Sequence, residues 1–263
     1  MCKTCGCAIP PTNTHNNVMQ PSPQFTVVNV VQNLLAANDL TAAHNRQHFD
    51  AHGVLAINLM SSPGSGKTAL LEATILALKS RYRIAVIEGD LETENDAQRI
   101  RACGVPALQI TTGTACHLDA SLVHQALHKL PLAEVDLLFI ENVGNLVCPA
   151  SFDLGQHLNV TLLSVTEGDD KPAKYPVIFR ASDLVVLSKT DLLPVLDDFE
   201  PSRAASALLA LGFNFPMIHT AARRVPSISA WLDWLENQLQ QRSIRPAAKD
   251  RAVLDQEVLS PCA

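Results

Sequence analysis

The sequence predicts an α/β protein: a mostly parallel, doubly wound sheet with helices on both faces. Two observations lead there. Short apolar runs recur along the chain and alternate with stretches of helical periodicity, the pattern of strand, crossover helix and parallel strand. The first run, residues 54–60, is apolar at nearly every position, as a strand covered on both faces must be. A third observation bounds the answer. At 263 residues, 47% hydrophobic and 17% charged, the chain suits one α/β domain with tails and is not globally disordered.

Taken in order, residues 1–30 carry Pro10, Pro11, Pro21 and Pro23 among Thr, Asn and Ser and are expected to be a flexible leader. Residues 31–52 form a helical lead-in, with Val31, Leu34 and Leu35 followed by an expected break at Asn38-Asp39. The compact domain is placed at 53–239. Strands are expected at 84–87, 107–110, 137–140, 160–165, 184–187 and 217–218, and helices at 95–102, 118–130, 201–211 and 228–239. Residues 240–263 are polar and read as a tail. There is no internal repeat or heptad array.

The first strand runs into Ser61-Ser-Pro-Gly-Ser-Gly-Lys-Thr68 and then a helix from about Ala69 to Leu78. This is a phosphate-gripping loop, which makes the domain a P-loop NTPase. Gly64, Ser65 and Gly66 allow successive backbone N–H groups to face phosphate oxygens. Lys67 supplies a point charge for the β- and γ-phosphates, the Thr68 hydroxyl is a Mg²⁺ ligand, and the helix adds its positive end. Ser61 stands where the motif usually begins with glycine.

Glu88-Gly-Asp90 follows the second strand and Glu141-Asn-Val-Gly-Asn145 the fourth, both at the carboxyl ends where open α/β sheets hold ligands. Lys67, Asp90 and Glu141 are assigned to catalysis, Asp90 to Mg²⁺ as well, and Gly144 lets a backbone N–H approach the γ-phosphate. Asp90 alone would also serve as a helix N-cap. Ser188-Lys-Thr-Asp191 fits a base-recognition loop: the Asp191 carboxylate accepts from guanine N1–H and its N2 amino group, and Lys189 methylenes lie along the base. Ser188 is shorter than the Asn with which this motif commonly begins. GTP is therefore the expected nucleotide.

The formal charge of −6 gives no electrostatic footprint for nucleic acid. No apolar stretch reaches membrane-spanning length and no signal-peptide pattern opens the chain, so a cytoplasmic protein with no membrane partner is expected. Seven cysteines in a reducing compartment then read first as metal-binding or redox groups.

The chain closely resembles the hydrogenase nickel-incorporation GTPases, the HypB family. The resemblance rests on the phosphate loop, Glu88-Gly-Asp90, Gly113-Thr-Ala-Cys-His-Leu-Asp119, Glu141 through Asp153, Val165-Thr-Glu-Gly-Asp-Asp-Lys-Pro172 and Trp231 through Leu235. It implies a GTPase that dimerises across its nucleotide sites and helps load nickel into [NiFe]-hydrogenase large-subunit precursors beside the metallochaperone HypA.

Two metal constellations follow. Cys2, Cys5 and Cys7, with one backbone or terminal nitrogen, suit square-planar Ni²⁺, against a reading as an incidental or redox-labile cysteine tail. The resemblance raises nickel above zinc. Cys116, His117 and Cys148 are few for a closed zinc site, and a two-fold dimer would complete them; on residues alone they read as buried structural cysteines. The resemblance implies zinc or nickel there. His44, His48 and His52, and likewise His124 and His128, share helical spacing, for which a solvated helix face is the favoured reading. Cys103 and Cys262 are given no role. The functional expectation is a GTP-hydrolysing nickel-delivery protein. Its alternatives are a urease-type nickel-insertion GTPase, a small-molecule kinase, or a nickel or zinc storage protein with a vestigial or regulatory nucleotide site.

Overall fold

The computed structural model describes residues 27–90, 94–113, 115–214, 217–223 and 227–243. Its elements are α1 (Val27–His52), β1 (Leu55–Ser61), α2 (Lys67–Leu78), β2 (Ile84–Asp90), α3 (Asn95–Ala102), β3 (Ala107–Thr111), α4 (Ala120–Leu127), β4 (Leu137–Glu141), β5 (Leu158–Ser164), α5 (Lys171–Lys174), α6 (Pro176–Arg180), β6 (Leu184–Ser188), α7 (Pro201–Ala210), β7 (Ile218–His219) and α8 (Ser229–Ser243). The seven strands form one parallel sheet in the order β3-β2-β4-β1-β5-β6-β7. β1 is central, so the loop after it has the ends of β4 and β2 on one side and those of β5, β6 and β7 on the other. That is the crevice where an open sheet of this kind binds ligands.

All seven residues of β1 are buried, and their alternation divides the core. Leu55, Ile57 and Leu59 pack with Leu70, Leu71 and Ile75 of α2 and with Trp231 and Leu235 of α8. Ala56 faces the opposite layer, where Phe49 of α1 and Val123 and Leu127 of α4 pack. Trp231 is fully buried, and its indole N–H donates to Thr74 Oγ1 at 2.8 Å, which satisfies its single polar atom.

Two expectations are revised. α1 runs unbroken through Asn38-Asp39, because Asn38 is spent on tertiary bonds: its Nδ2 donates to Asp153 O at 2.8 Å and its Oδ1 accepts from Ala120 N at 2.9 Å. The helix expected from 118 starts at Ala120, since Asp119 is its N-cap and accepts from Leu122 N at 2.8 Å. No helix among the described residues is long and apolar enough to cross a membrane.

Candidate nucleotide and metal sites

The phosphate loop folds as its composition requires. Gly66 takes φ +99°, which a side chain would strain, and turns the chain directly into α2 at Lys67, two residues before the expected start. Every nucleotide-site residue expected from sequence, from Gly64 through Thr68 to Asp90, Glu141, Gly144, Lys189 and Asp191, lines one cavity of about 680 Å³. Gly144 has no room for a side chain: a Cβ there would stand 2.8 Å from Pro63 Cα, so the segment after β4 rests directly on the phosphate loop. Asp90 is not a helix cap, because Glu94 occupies that position before α3.

Lys67, although only 7% exposed, is held by polar partners. Its Nζ donates to Ser61 Oγ at 3.0 Å and lies 3.9 Å from Glu141 Oε1. Ser61, the departure from glycine, thus supplies the hydroxyl on which the lysine rests. Thr68 Oγ1 donates to Glu141 Oε1 at 3.0 Å.

Glu88, to which the sequence reading gives no role of its own beyond the Glu88-Gly-Asp90 motif, stands beside Glu141. It is paired in register with Glu141 across β2 and β4, and both side chains are buried. Burial is the first cause that pushes the Glu88 carboxyl far above the carboxylate range, and the neighbouring Glu141 charge is the second. Burial raises Glu141 too, against the opposing pull of Lys67. Glu88 Oε1 and Glu141 Oε2 have no hydrogen-bond partner among the described residues. Two buried carboxyls with unused oxygens beside a threonine hydroxyl form a donor set that suits a hard divalent cation such as Mg²⁺.

On the other side of the loop, Ser188 Oγ donates to Ser65 O at 2.6 Å and ties the end of β6 to the phosphate loop. Lys189 adopts the left-handed region at φ 57° and its Nζ donates to Thr166 Oγ1 at 3.3 Å. Thr190 N donates to Thr220 O at 3.1 Å, which brings the short strand β7 against the Ser188–Asp191 loop. Thr220 and Ala222 line the cavity beside Asp191. They are absent from the sequence expectation because, although a strand is expected at 217–218, no motif marks the residues after this short strand. Glu167 was missed as well: its Oε1 accepts from Ser65 Oγ at 2.5 Å.

Away from this cavity, Cys116, His117 and Cys148 converge within one chain, with ligand atoms all inside 4.8 Å of one another. The two sulfurs are 2.9 Å apart and Cys116 Sγ lies 3.6 Å from His117 Nδ1. All three side chains are at least partly accessible, which displaces the reading of buried structural cysteines. The His117 ring stacks on Phe152 with centroids 3.9 Å apart. The neighbouring Cys116 thiol, then burial, pushes the Cys148 thiol up. Two soft sulfurs and an imidazole fit zinc or nickel. Cys2, Cys5 and Cys7 lie outside the described residues, as does Cys262.

The histidine expectation is revised in part. His44 and His48 are half-buried and pack against α4 with His124, whereas His128 is exposed as expected.

Comparison with known proteins agrees with this geometry. Residues 55–208 match the family model described as CobW/HypB/UreG, nucleotide-binding domain. A hydrogenase maturation factor HypB of Azotobacter vinelandii is 50% identical over 233 residues, covering 89% of this chain and 76% of its own length. The crystal structure of HypB from Helicobacter pylori in complex with nickel superposes with TM-score 0.74 at 41% identity, covering 78% of this chain and 96% of that one. HypB from Archaeoglobus fulgidus gives TM-score 0.72 at 37% identity, covering 78% and 99%.

Proposed function

The chain belongs to the HypB hydrogenase maturation factors, and from that premise we propose that it hydrolyses GTP and delivers nickel to [NiFe]-hydrogenase precursors, with nucleotide and metal binding coupled. The observation that carries the coupling is the chain continuity of Glu141 and Asn142. Glu141 takes the Thr68 hydroxyl in the nucleotide cavity, while Asn142 Oδ1 accepts from Leu118 N, next to the metal ligand His117, at 3.1 Å.

At the nucleotide, Lys67 leaves Ser61 for the β- and γ-phosphates, and Asp191 with Lys189 selects guanine. Thr68, Asp90 and the Glu88/Glu141 pair are the residues that would hold Mg²⁺, which when bound supplies positive charge against the phosphate oxygens. Glu141 then orients the attacking water. Turnover is slow in isolation: Arg99 lines the cavity, but its guanidinium is engaged by Glu72 and Asp96 rather than offered to the phosphates.

At the metal, one chain offers three ligands, and a second copy meeting the same patch would complete a shared site. Nickel passes from the leader thiols Cys2, Cys5 and Cys7, beside the metallochaperone HypA, to the large-subunit precursor in the cytoplasm. The direction of transfer follows from differential affinity in the GTP and GDP states.

The test is to titrate Ni²⁺ and Zn²⁺ into the full chain lacking the leader thiols, loaded with GDP or with a non-hydrolysable GTP analogue. Different metal affinities in the two states, and dimerisation favoured by one of them, are expected. Equal affinities would remove the coupling. A protein that binds nickel but never turns over GTP would be a store, not a delivery enzyme.

A further inference from the structure

α1 and α4 pack side by side and bring together histidines that are far apart in sequence. His44, His48 and His124 each offer a ring nitrogen, all within 4.8 Å of one another. The ring centroids of His44 and His48 are 4.6 Å apart, and those of His44 and His124 5.0 Å. His128, one turn along α4, places its Nε2 3.1 Å from His124 Nε2.

Clustered rings alone would be only a patch of imidazoles, but the hydrogen bonds around them fix where lone pairs point. Asn45 is fully buried, and its Nδ2 donates to two carbonyls, Ala120 O at 2.8 Å and Leu154 O at 3.0 Å. Its Oδ1 therefore accepts, from His124 Nδ1 at 2.9 Å. That bond puts the proton of neutral His124 on Nδ1 and leaves the Nε2 lone pair directed at the cluster. A ligating histidine whose second nitrogen is held by a buried carbonyl is the usual way a protein orients a metal ligand. His48 Nε2, meanwhile, is buried and has no hydrogen-bond partner among the described residues. A buried, unpartnered ring nitrogen costs free energy unless something other than the protein satisfies it.

We propose that His44, His48 and His124, with His128 as a fourth donor, form an all-imidazole binding site for a late first-row divalent transition metal, separate from the Cys116/His117/Cys148 set. Neutral imidazoles suit Zn²⁺, Ni²⁺, Cu²⁺ and Co²⁺ and discriminate against Mg²⁺ and Ca²⁺, which want oxygen. Metal–nitrogen bonds of about 2.0–2.1 Å call for tetrahedral donors roughly 3.3–3.4 Å apart, so modest side-chain rotation closes the site. Two of the rings are held toward the neutral, ligating form: burial first, then His44, His124, His52 and His128 around it, lowers His48 to about 4, and burial followed by His128 and His44 lowers His124. In sequence the site links α1, which follows the leader, to α4, which begins three residues after His117. A bound ion would clamp the two helices together.

The test uses the full chain under reducing conditions, titrated separately with Co²⁺ and Zn²⁺ beside the His44→Gln and His48→Gln variants. Wild type should bind one more equivalent than either variant, or bind it at least about tenfold more tightly. The Co²⁺ absorption lost in the variants should be of ligand-field type, with the sulfur-to-cobalt charge-transfer band of the cysteine site unchanged. Zn²⁺ should raise the thermal midpoint of wild type more than that of His44→Gln. Because His48 lies in the helix interface, the exposed His128→Gln serves as a second variant that keeps the fold, and it should weaken the same equivalent. Equal stoichiometry and affinity in wild type and folded His44→Gln, or a loss confined to the charge-transfer band, would overturn the proposal.

Discussion

Asn142 Oδ1 accepts the backbone N–H of Leu118 at 3.1 Å and that of Val143 at 3.0 Å, so one buried amide fastens the end of β4 to the loop that carries Cys116 and His117. Its Nδ2 donates to Asn58 Oδ1 of β1 at 3.2 Å, and nearby Asn145 Nδ2 reaches Cys116 O at 3.3 Å. In the coupling proposed above, these bonds are the route by which a movement of Glu141 would reach the backbone beside Cys116 and His117.

Asn142→Ala removes the acceptor of two buried N–H groups, each worth roughly 1–3 kcal/mol when left unpaired. The expected outcome is a lower thermal midpoint, GTP affinity within a few-fold of wild type, and nickel affinity at the cysteine site that no longer depends on the nucleotide. Isothermal titration of nickel into the GDP-loaded and analogue-loaded variant checks this. A nucleotide effect as large as in wild type would show that the link runs elsewhere.

Lys67→Ala should abolish GTP turnover, since the positive side chain that the phosphate loop itself carries is lost. Ser61→Gly asks a finer question. Without its hydroxyl, the lysine loses its resting partner at 3.0 Å, so GTP affinity should rise modestly, by less than about tenfold, with the fold intact. Steady-state kinetics and fluorescent-nucleotide binding distinguish the two effects.

Asp191→Asn exchanges one accepting oxygen for a donor, which matches the extra carbonyl of xanthine and repels guanine's amino group. The variant should lose GTP affinity by about ten- to a hundredfold and gain XTP affinity, measured by competition against a labelled nucleotide. An unchanged GTP/XTP preference would move the base site away from Asp191.

Much of the nucleotide cavity was legible because its parts are contiguous strings at strand ends: Gly64 through Thr68, Asp90, Glu141, Lys189 and Asp191 are all drawn into one place by parallel β-strands whose carboxyl ends share an edge. What was not legible depends on register and on helix packing. Glu88 faces Glu141 only because β2 and β4 pair at that register. The imidazole cluster exists only because α1 docks on α4, and the Asn38 side chain that argued for a helix break instead anchors that docking. Spacing within α1 or α4 shows which residues share a face of one helix, and says nothing about which face of another helix meets it.

The paired carboxyls make the last prediction, which concerns pH. In the unfolded chain a glutamate has its ordinary value of 4.5, while in the folded protein burial, and then Glu141, hold Glu88 protonated far above it. A raised carboxyl contributes stability that is fully present below 4.5, where both states are protonated, and is lost progressively as pH rises above it, because the folded state must keep a proton that the unfolded state has released. Stability of the nucleotide-free protein should therefore fall from about pH 5 through neutrality. Glu88→Gln keeps the hydrogen-bonding shape without the titration, so this variant should be more stable than wild type at pH 7–8 and nearly equal to it near pH 4, with a flatter profile between. Mg²⁺ gives the same relief by a different route, since a cation neutralises the pair as a proton does, and should raise the wild-type midpoint at pH 8 but not that of Glu88→Gln. Thermal unfolding across this range, with and without Mg²⁺, reads all of these differences. A variant as pH-sensitive as wild type would mean that Glu88 does not carry this titration.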